Sequence, residues 1–190
     1  MTPKLPERRS IRLRGYDYSQ AGCYFVTVCT HERKHYFGEI VGATLCGRPN
    51  NPHTMIEKWL FELENKYSDV KIGPYVIMPN HVHAIICKSN IPSGIQAGDH
   101  MGIQAGVQAG DHTGSPLRDI VGWFKTMTTN EYIRNVRNGR YEPFEKKLWQ
   151  RNYYEHVVRD DRDYLRIAEY IELNPTTWDK DSLNGGLEHV

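Results

Sequence analysis

The sequence predicts an α+β fold: a ferredoxin-like split βαβ antiparallel sheet, with helices on one face and a tyrosine-bearing helix at the C-terminal end. Three observations carry that expectation. Apolar periodicity switches along the chain between the repeat of strands and that of helices, in the order β-α-β-β-α-β followed by a last helix. Val76-Ile77 and Ala84-Ile85-Ile86-Cys87 read as two buried strands interrupted only by a Pro79-Asn80 break, as a hairpin would be. The length of 190 residues, with 39% hydrophobic and 25% charged content, suits one domain with a substantial core.

Residues 1–20 form a polar arm in which Lys4, Arg8, Arg9, Arg12 and Arg14 crowd together on a chain of net charge +1. Such clusters, like Lys146, Lys147 and Arg151 further on, suit local phosphate contacts, although a solvated tail explains the arm equally well. Tyr24-Phe25-Val26-Thr27-Val28-Cys29 reads as the first strand, entered after Gly22, and glycines and prolines break residues 31–53. Thr54 and Glu57 have the spacing of a capping box, and Ile56, Trp59, Leu60, Leu63 and Tyr67 then mark the inner face of a helix. Residues 71–77 and 81–88 follow as the second and third strands.

Residues 94–114 repeat a short Gly-Ile-Gln-Ala-Gly unit too small to bury a core, so a flexible insertion is expected, with His100 and His112 as weak metal candidates. Ser115-Pro116 has the form of a helix start. Leu117, Ile120, Val121, Phe124 and Thr128 give that helix an inner face. Arg118, Gly122, Lys125 and Thr129 give it a polar stripe, which a DNA backbone could approach or water could simply cover. Residues 149–158 read as the fourth strand. Asp160-Asp161 caps the last helix, whose Tyr164, Leu165, Ala168 and Ile171 face inward, and which ends at Asn174-Pro175 because the residue before proline disfavours helical geometry. The domain then spans 21–178, with 179–190 as a tail.

No apolar run approaches the ~20 residues that span a bilayer, and no signal-peptide core follows the N-terminus, so a cytoplasmic, nucleoid-associated protein with no membrane partner is expected. Cys23, Cys29, Cys46 and Cys87 lack Cys-x-x-Cys spacing, which argues against a zinc ribbon and for reduced thiols.

The chemistry points to two places. In an extended strand His81 and His83 share one face while Val82 turns into the core. Two buried imidazoles are costly unless they bind something, and a divalent metal is the economical ligand. On the last helix Tyr170 and Asn174 are four apart and share a face, which offers a phenol and an amide oxygen as third ligand. Glu155-His156 could supply a different third ligand. Tyr153, Tyr154 and Tyr164 are alternative nucleophiles, but none is followed four residues later on a helix by a ligand-type side chain. Tyr154 could also fill the core or stack on a base. His31, His35 and His53 fall in segments read as loops.

Met78-Pro79-Asn80-His81-Val82-His83 resembles the His-hydrophobe-His signature of single-tyrosine HUH transposases. Tyr170-Ile171-Glu172-Leu173-Asn174-Pro175 resembles their tyrosine helix in the form found among REP-associated tyrosine transposases. Arg9-Ser10-Ile11-Arg12-Leu13, Gly15-Tyr16-Asp17-Tyr18, Tyr24-Phe25-Val26-Thr27, Phe37-Gly38, Phe124-Lys125 and Trp149-Gln150 extend the similarity over most of the chain. The resemblance implies metal-dependent nicking and joining of single-stranded DNA near hairpins through a 5′-phosphotyrosine on Tyr170. It implies Mg²⁺ or Mn²⁺ on His81, His83 and Asn174, and DNA contacts from Arg8, Arg9, Arg12, Arg14, Arg118 and Lys125. A monomer is preferred, with a helix-swapped homodimer as the other form. Two other functions use the same features: a domesticated hairpin-DNA-binding protein that no longer cuts, and a metal-dependent phosphodiesterase without a tyrosine step.

Overall fold

In a computed structural model, residues 16–38, 51–89 and 114–184 are described. Four strands, β1 (Gly22–Cys29), β2 (Val70–Met78), β3 (His81–Lys88) and β4 (Tyr154–Val157), form one sheet in the order β2-β3-β1-β4. Every strand pairing is antiparallel. Three α-helices accompany it: α1 (Pro52–Lys66), α2 (Leu117–Arg137) and α3 (Asp161–Leu173). The split βαβ order is therefore as expected, and β3 has the bounds read from the sequence.

Period-two alternation sorts the strands into two faces. Tyr24, Val26, Val28, Val82, Ala84 and Ile86 point toward α1 and α2, where they pack with Ile56, Leu60, Leu63, Leu117, Ile120, Val121 and Phe124. Phe25, Val76, Met78 and Ile85 point the other way, against Ile167 and Ile171 of α3. The tyrosine-bearing helix thus lies across the sheet from the other two.

β2 lies at the sheet edge, where Pro74 withholds no ladder hydrogen bond from an inner neighbour, and its register slips between Ile72 and Tyr75. At that irregularity Gly73 lies under Tyr164 of α3, and a Cβ there would come within 3.1 Å of the phenol oxygen.

Several local expectations are corrected. The first helix begins at Pro52, capped by the Asn51 side chain accepting from the His53 amide, so His53 belongs to a helix. Glu57 is not a capping partner of Thr54, because its carboxylate accepts from the Tyr75 hydroxyl at 2.6 Å. Ser115 makes no cap for α2, whose N-cap is Pro116 without a side-chain bond. The fourth strand shrinks to Tyr154–Val157, with Trp149 reached only by an isolated bridge to Thr30.

Tyr154 is 46% exposed, so it does not fill the core. Leu165 is 66% exposed, and Ile167 takes the inward position expected of it. Asn174 stays helical (φ −56°, ψ −42°), so the chain runs on from α3 into a 3-10 helix over Asn174–Lys180 despite Pro175. Cys23 and Cys87 face each other across β1 and β3 and form a disulfide, against the expectation of reduced thiols. Strand register, which Cys spacing does not reveal, brings them together; Cys29 remains a free thiol.

No helix among the described residues is long and apolar enough to cross a membrane. The arm residues Arg8, Arg9, Arg12 and Arg14, together with Cys46, His100 and His112, lie outside the described residues.

Candidate metal and tyrosine site

The hairpin joining β2 to β3 fixes the first half of the site. Met78 pairs with His81 across the two-residue turn Pro79-Asn80. Both turn carbonyls are occupied, Pro79 O by the Phe37 amide at 3.0 Å and Asn80 O by the Thr30 amide at 2.8 Å. The chain leaving β1 therefore clamps the turn.

Asn80, fully buried, decides the chemistry of His81. Its Nδ2 donates to Arg33 O at 3.0 Å and to Leu183 O at 2.7 Å. With both amide hydrogens committed, Oδ1 faces His81 Nδ1 at 2.7 Å and accepts its proton. The neutral imidazole then carries its lone pair on Nε2, which is buried and has no hydrogen-bond partner among the described residues. Glu32 and Arg33 both adopt left-handed backbone (φ 55° and 56°) in the 3-10 turn His31–Arg33. That strained geometry accompanies the Arg33 carbonyl that Asn80 uses.

His83 is oriented by its strand partner. Thr27 lies opposite it in the β1–β3 register, and its Oγ1 is 2.8 Å from His83 Nδ1. Phe25 stacks on the ring at 5.2 Å. Across the ring, the Tyr170 hydroxyl lies 3.2 Å from His83 Nε2. With the phenol donating there, Nδ1 keeps the proton and gives it to Thr27. Burial pushes both imidazoles down to about 3; the Arg33 charge adds to the effect on His81, and the neighbouring His81 to that on His83. Both therefore stand as neutral donors, with ring centroids 4.4 Å apart.

The second half comes from α3 and the chain after it. Tyr170 is 45% exposed and Asn174 is buried, so the pair presents the phenol to solvent and the amide to the interior. Asn174 Nδ2 donates to Asp181 Oδ2 at 3.1 Å, while its Oδ1 is buried without a hydrogen-bond partner among the described residues. Burial raises the Tyr170 pKa, the Asp181 charge raises it further, and the hydrogen bond with Asn174 opposes both. One nitrogen from each of His81 and His83 and one Asp181 oxygen all lie within 4.8 Å of one another, a spacing that one cation could bridge. Two neutral imidazoles, an orphaned amide oxygen and a carboxylate make a mixed nitrogen and oxygen donor set of the kind that can hold a divalent cation.

The structure thus gathers His81, His83, Tyr170 and Asn174. It separates Glu155, whose partner in register is Val26, onto the face of α1 and α2. His156 is on the face of the site, but its Nε2 bonds to Asp163 at 2.7 Å. Tyr164 lies over Gly73 at β2, and no contact brings it to His83 as one does Tyr170.

Arg118 is exposed on the first turn of α2. Lys125 has a different task from the DNA contact expected of it. Its Nζ lies 3.1, 3.4 and 3.3 Å from the carbonyls of Gln150, Arg151 and Asn152, and burial pushes its pKa down to about 8. It staples the chain leading into β4.

Sequence reasoning missed Asn80, Thr27 and Asp181. The first stands next to a recognised histidine and the second opposite one, so a predicted register would have found both. Asp181 follows the helix in a segment without periodicity and left no signal.

No family model matches the chain. It is 35% identical to an uncharacterized protein of Haemophilus influenzae over 183 residues, 93% of this chain and 92% of that one. A second Haemophilus influenzae protein, provisionally named a REP-associated tyrosine transposase, is 24% identical over 163 residues, 84% of this chain and 73% of the relative. Among solved structures, a REP-associated tyrosine transposase bound to a REP hairpin superposes with a TM-score of 0.51 at 18% identity, covering 88% of this chain and 73% of that one. The chain thus shares its fold with a REP-associated tyrosine transposase and is similar, over most of its length, to a protein given that name.

Proposed function

We propose that the protein nicks and rejoins single-stranded DNA near hairpins, with Tyr170 as the nucleophile. The observation that carries this reading is the approach of the Tyr170 hydroxyl to within 3.2 Å of His83 Nε2, beside the metal-type donors. His81, His83 and Asn174 would hold Mg²⁺ or Mn²⁺. When bound, the ion would polarise the scissile phosphate and offset the charge that grows on its oxygens.

The chain's own residues account for the remaining steps. α3, seated on Phe25, Val76 and Ile85, holds the phenol at the solvent edge, where a DNA strand can reach it. Tyr170 Oη attacks phosphorus, forming a phosphotyrosine bond as the bond to the 3′ oxygen breaks. The phenolic proton leaves through solvent, and the departing 3′ oxygen takes up a proton, so charge and atoms balance. His83 is a poor acceptor for that proton, because burial holds its pKa at about 3. The phosphodiester linkage energy stays in the adduct, so a second 3′-OH can reverse the step without a nucleotide cofactor.

The proposed form is a monomer in which Tyr170 acts in cis with His83 of the same chain. The hairpin in the solved relative favours hairpin DNA as the partner. Arg8, Arg9, Arg12 and Arg14 would supply backbone contacts, with Arg118 a further candidate. Deleting residues 1–14 should therefore weaken hairpin binding and flatten its salt dependence; an unchanged salt slope would return the arm to solvent.

The deciding experiment is a denaturing gel of labelled hairpin DNA incubated with protein and Mn²⁺. Wild type should give a covalent adduct and Tyr170→Phe none. An adduct that survives in Tyr170→Phe refutes the assignment. Hairpin binding without any cleavage product would favour a non-cleaving binder.

A further inference from the structure

Asp181 lies just past the 3-10 helix, in a part of the chain that the sequence offers only as a tail, yet its side chain is 7% exposed. Oδ2 lies 4.0 Å from His81 Nε2 and accepts the Asn174 amide at 3.1 Å, while Oδ1 accepts the Leu183 N–H at 2.7 Å. The residues after it are pinned as well. Arg33 Nη1 donates to Ser182 O at 2.7 Å, and Asn80 Nδ2 donates to Leu183 O at 2.7 Å. Asn80 therefore grips the protonated side of His81 with one end of its amide and the segment carrying Asp181 with the other. His81 and Asp181 cannot shift independently.

A buried carboxylate facing the bare nitrogen of a neutral imidazole is an unfavourable arrangement unless a cation lies between them. Here the imidazole nitrogen and the Asn174 amide oxygen both lack hydrogen-bond partners among the described residues, and the carboxylate is the anionic group beside them. Two imidazoles and an amide are all neutral donors, whereas hard divalent ions favour anionic oxygen.

We propose that Asp181 is a protein ligand of the divalent cation, through Oδ2, alongside His81, His83 and Asn174. The proposal rests on the metal-dependent reading of the site given above. Asn174 then has two jobs: its Nδ2 orients the carboxylate while its Oδ1 faces the ion. Arg33 and Asn80 are positioning residues that hold the Asp181 segment against the histidines.

The test is direct Mn²⁺ binding by the full chain, followed by calorimetry and by the loss of the free-ion paramagnetic resonance signal. Each protein's unfolding midpoint without metal serves as the check on folding. Wild type should bind Mn²⁺, and His81→Ala should abolish binding. Asp181→Asn keeps the size and an acceptor oxygen but removes the charge, and should weaken binding at least tenfold. A second variant covers the case of a folding defect. Asp181→Cys should bind Co²⁺ with a sulfur-to-cobalt charge-transfer band, which arises only if position 181 touches the ion.

Unchanged Mn²⁺ affinity in Asp181→Asn, or Co²⁺ bound by Asp181→Cys without that band, overturns the proposal and leaves the two-histidine metal reading standing. Failure of wild type to bind Mn²⁺ at all overturns both.

Discussion

The two faces of the sheet are made by the same strands and put to opposite uses. Toward α1 and α2, twenty buried apolar residues among those described form one continuous cluster. Toward α3 there are six, and the other positions of that face include the buried polar residues Thr27, His81 and His83. Because successive strand residues alternate faces, Val82 anchors the large core while its two neighbours are metal-type donors. The fold's stability can therefore rest on one face, leaving the other free to carry imidazoles that are costly to bury. A helix seated on four buried apolar residues of the sheet is also less firmly held than its counterparts, which suits the nucleophile-presenting role proposed for it.

The largest effects should fall on the core face. Ile86 and Ile85 are adjacent, both buried, and point in opposite directions. Ile86→Ala should cost about 2–5 kcal/mol in denaturant unfolding, with adduct formation per folded molecule unchanged. Ile85→Ala should lower stability and also slow adduct formation, because it removes the seat of α3. Tyr170→Phe should do the reverse of Ile86→Ala, with stability within about 0.5 kcal/mol of wild type and no adduct. If Ile86→Ala cut cleavage as deeply as Ile85→Ala, the division between the faces would be wrong.

A smaller effect sharpens the contrast within the site. Thr27→Val preserves shape but removes the oxygen 2.8 Å from His83 Nδ1. Partners that fix a ligating imidazole typically contribute 10–100-fold to metal affinity. Calorimetry should show Mn²⁺ binding weakened to about that extent, with circular dichroism unchanged. Equal affinity in the two proteins would mean that strand register alone holds the ring.

How much of this was legible in the sequence follows from the kind of signal involved. Period-two alternation around His81 placed β3 and both imidazoles, and the four-residue spacing of Tyr170 and Asn174 placed the second half. Such patterns survive because each depends on neighbours in the chain. The capping box at Thr54 failed because a competing cap, Asn51, lay just upstream and Tyr75 took the Glu57 carboxylate. Asn174 stayed helical before Pro175, where its side chain is buried and bonds to Asp181 seven residues on. Asp181, the Cys23–Cys87 pairing and the stapling role of Lys125 all depend on contacts between distant segments, which no periodicity records.

The smallest effect concerns what α3 has in place of a large apolar seat. Asp163, in its first turn, accepts from His156 of β4 at 2.7 Å and from the Arg159 amide at 3.3 Å, and it pairs with Arg166. Hydrogen bonding from Arg166, and then from His156, holds its carboxyl down at about 2 against an ordinary value of 3.8. A depressed carboxyl binds fewer protons in the folded state than in the unfolded one, so its contribution is present above about 3.8 and fades as pH falls through about 2. Arg166 is well exposed and its share is screened by water, so Asp163→Asn should cost no more than about 1 kcal/mol at neutral pH. Unfolding curves for the two proteins should converge as the pH approaches 2. A gap that persisted there would show that the clamp between β4 and α3 works through packing, and that charge does not compensate for the thinner core beneath the tyrosine helix.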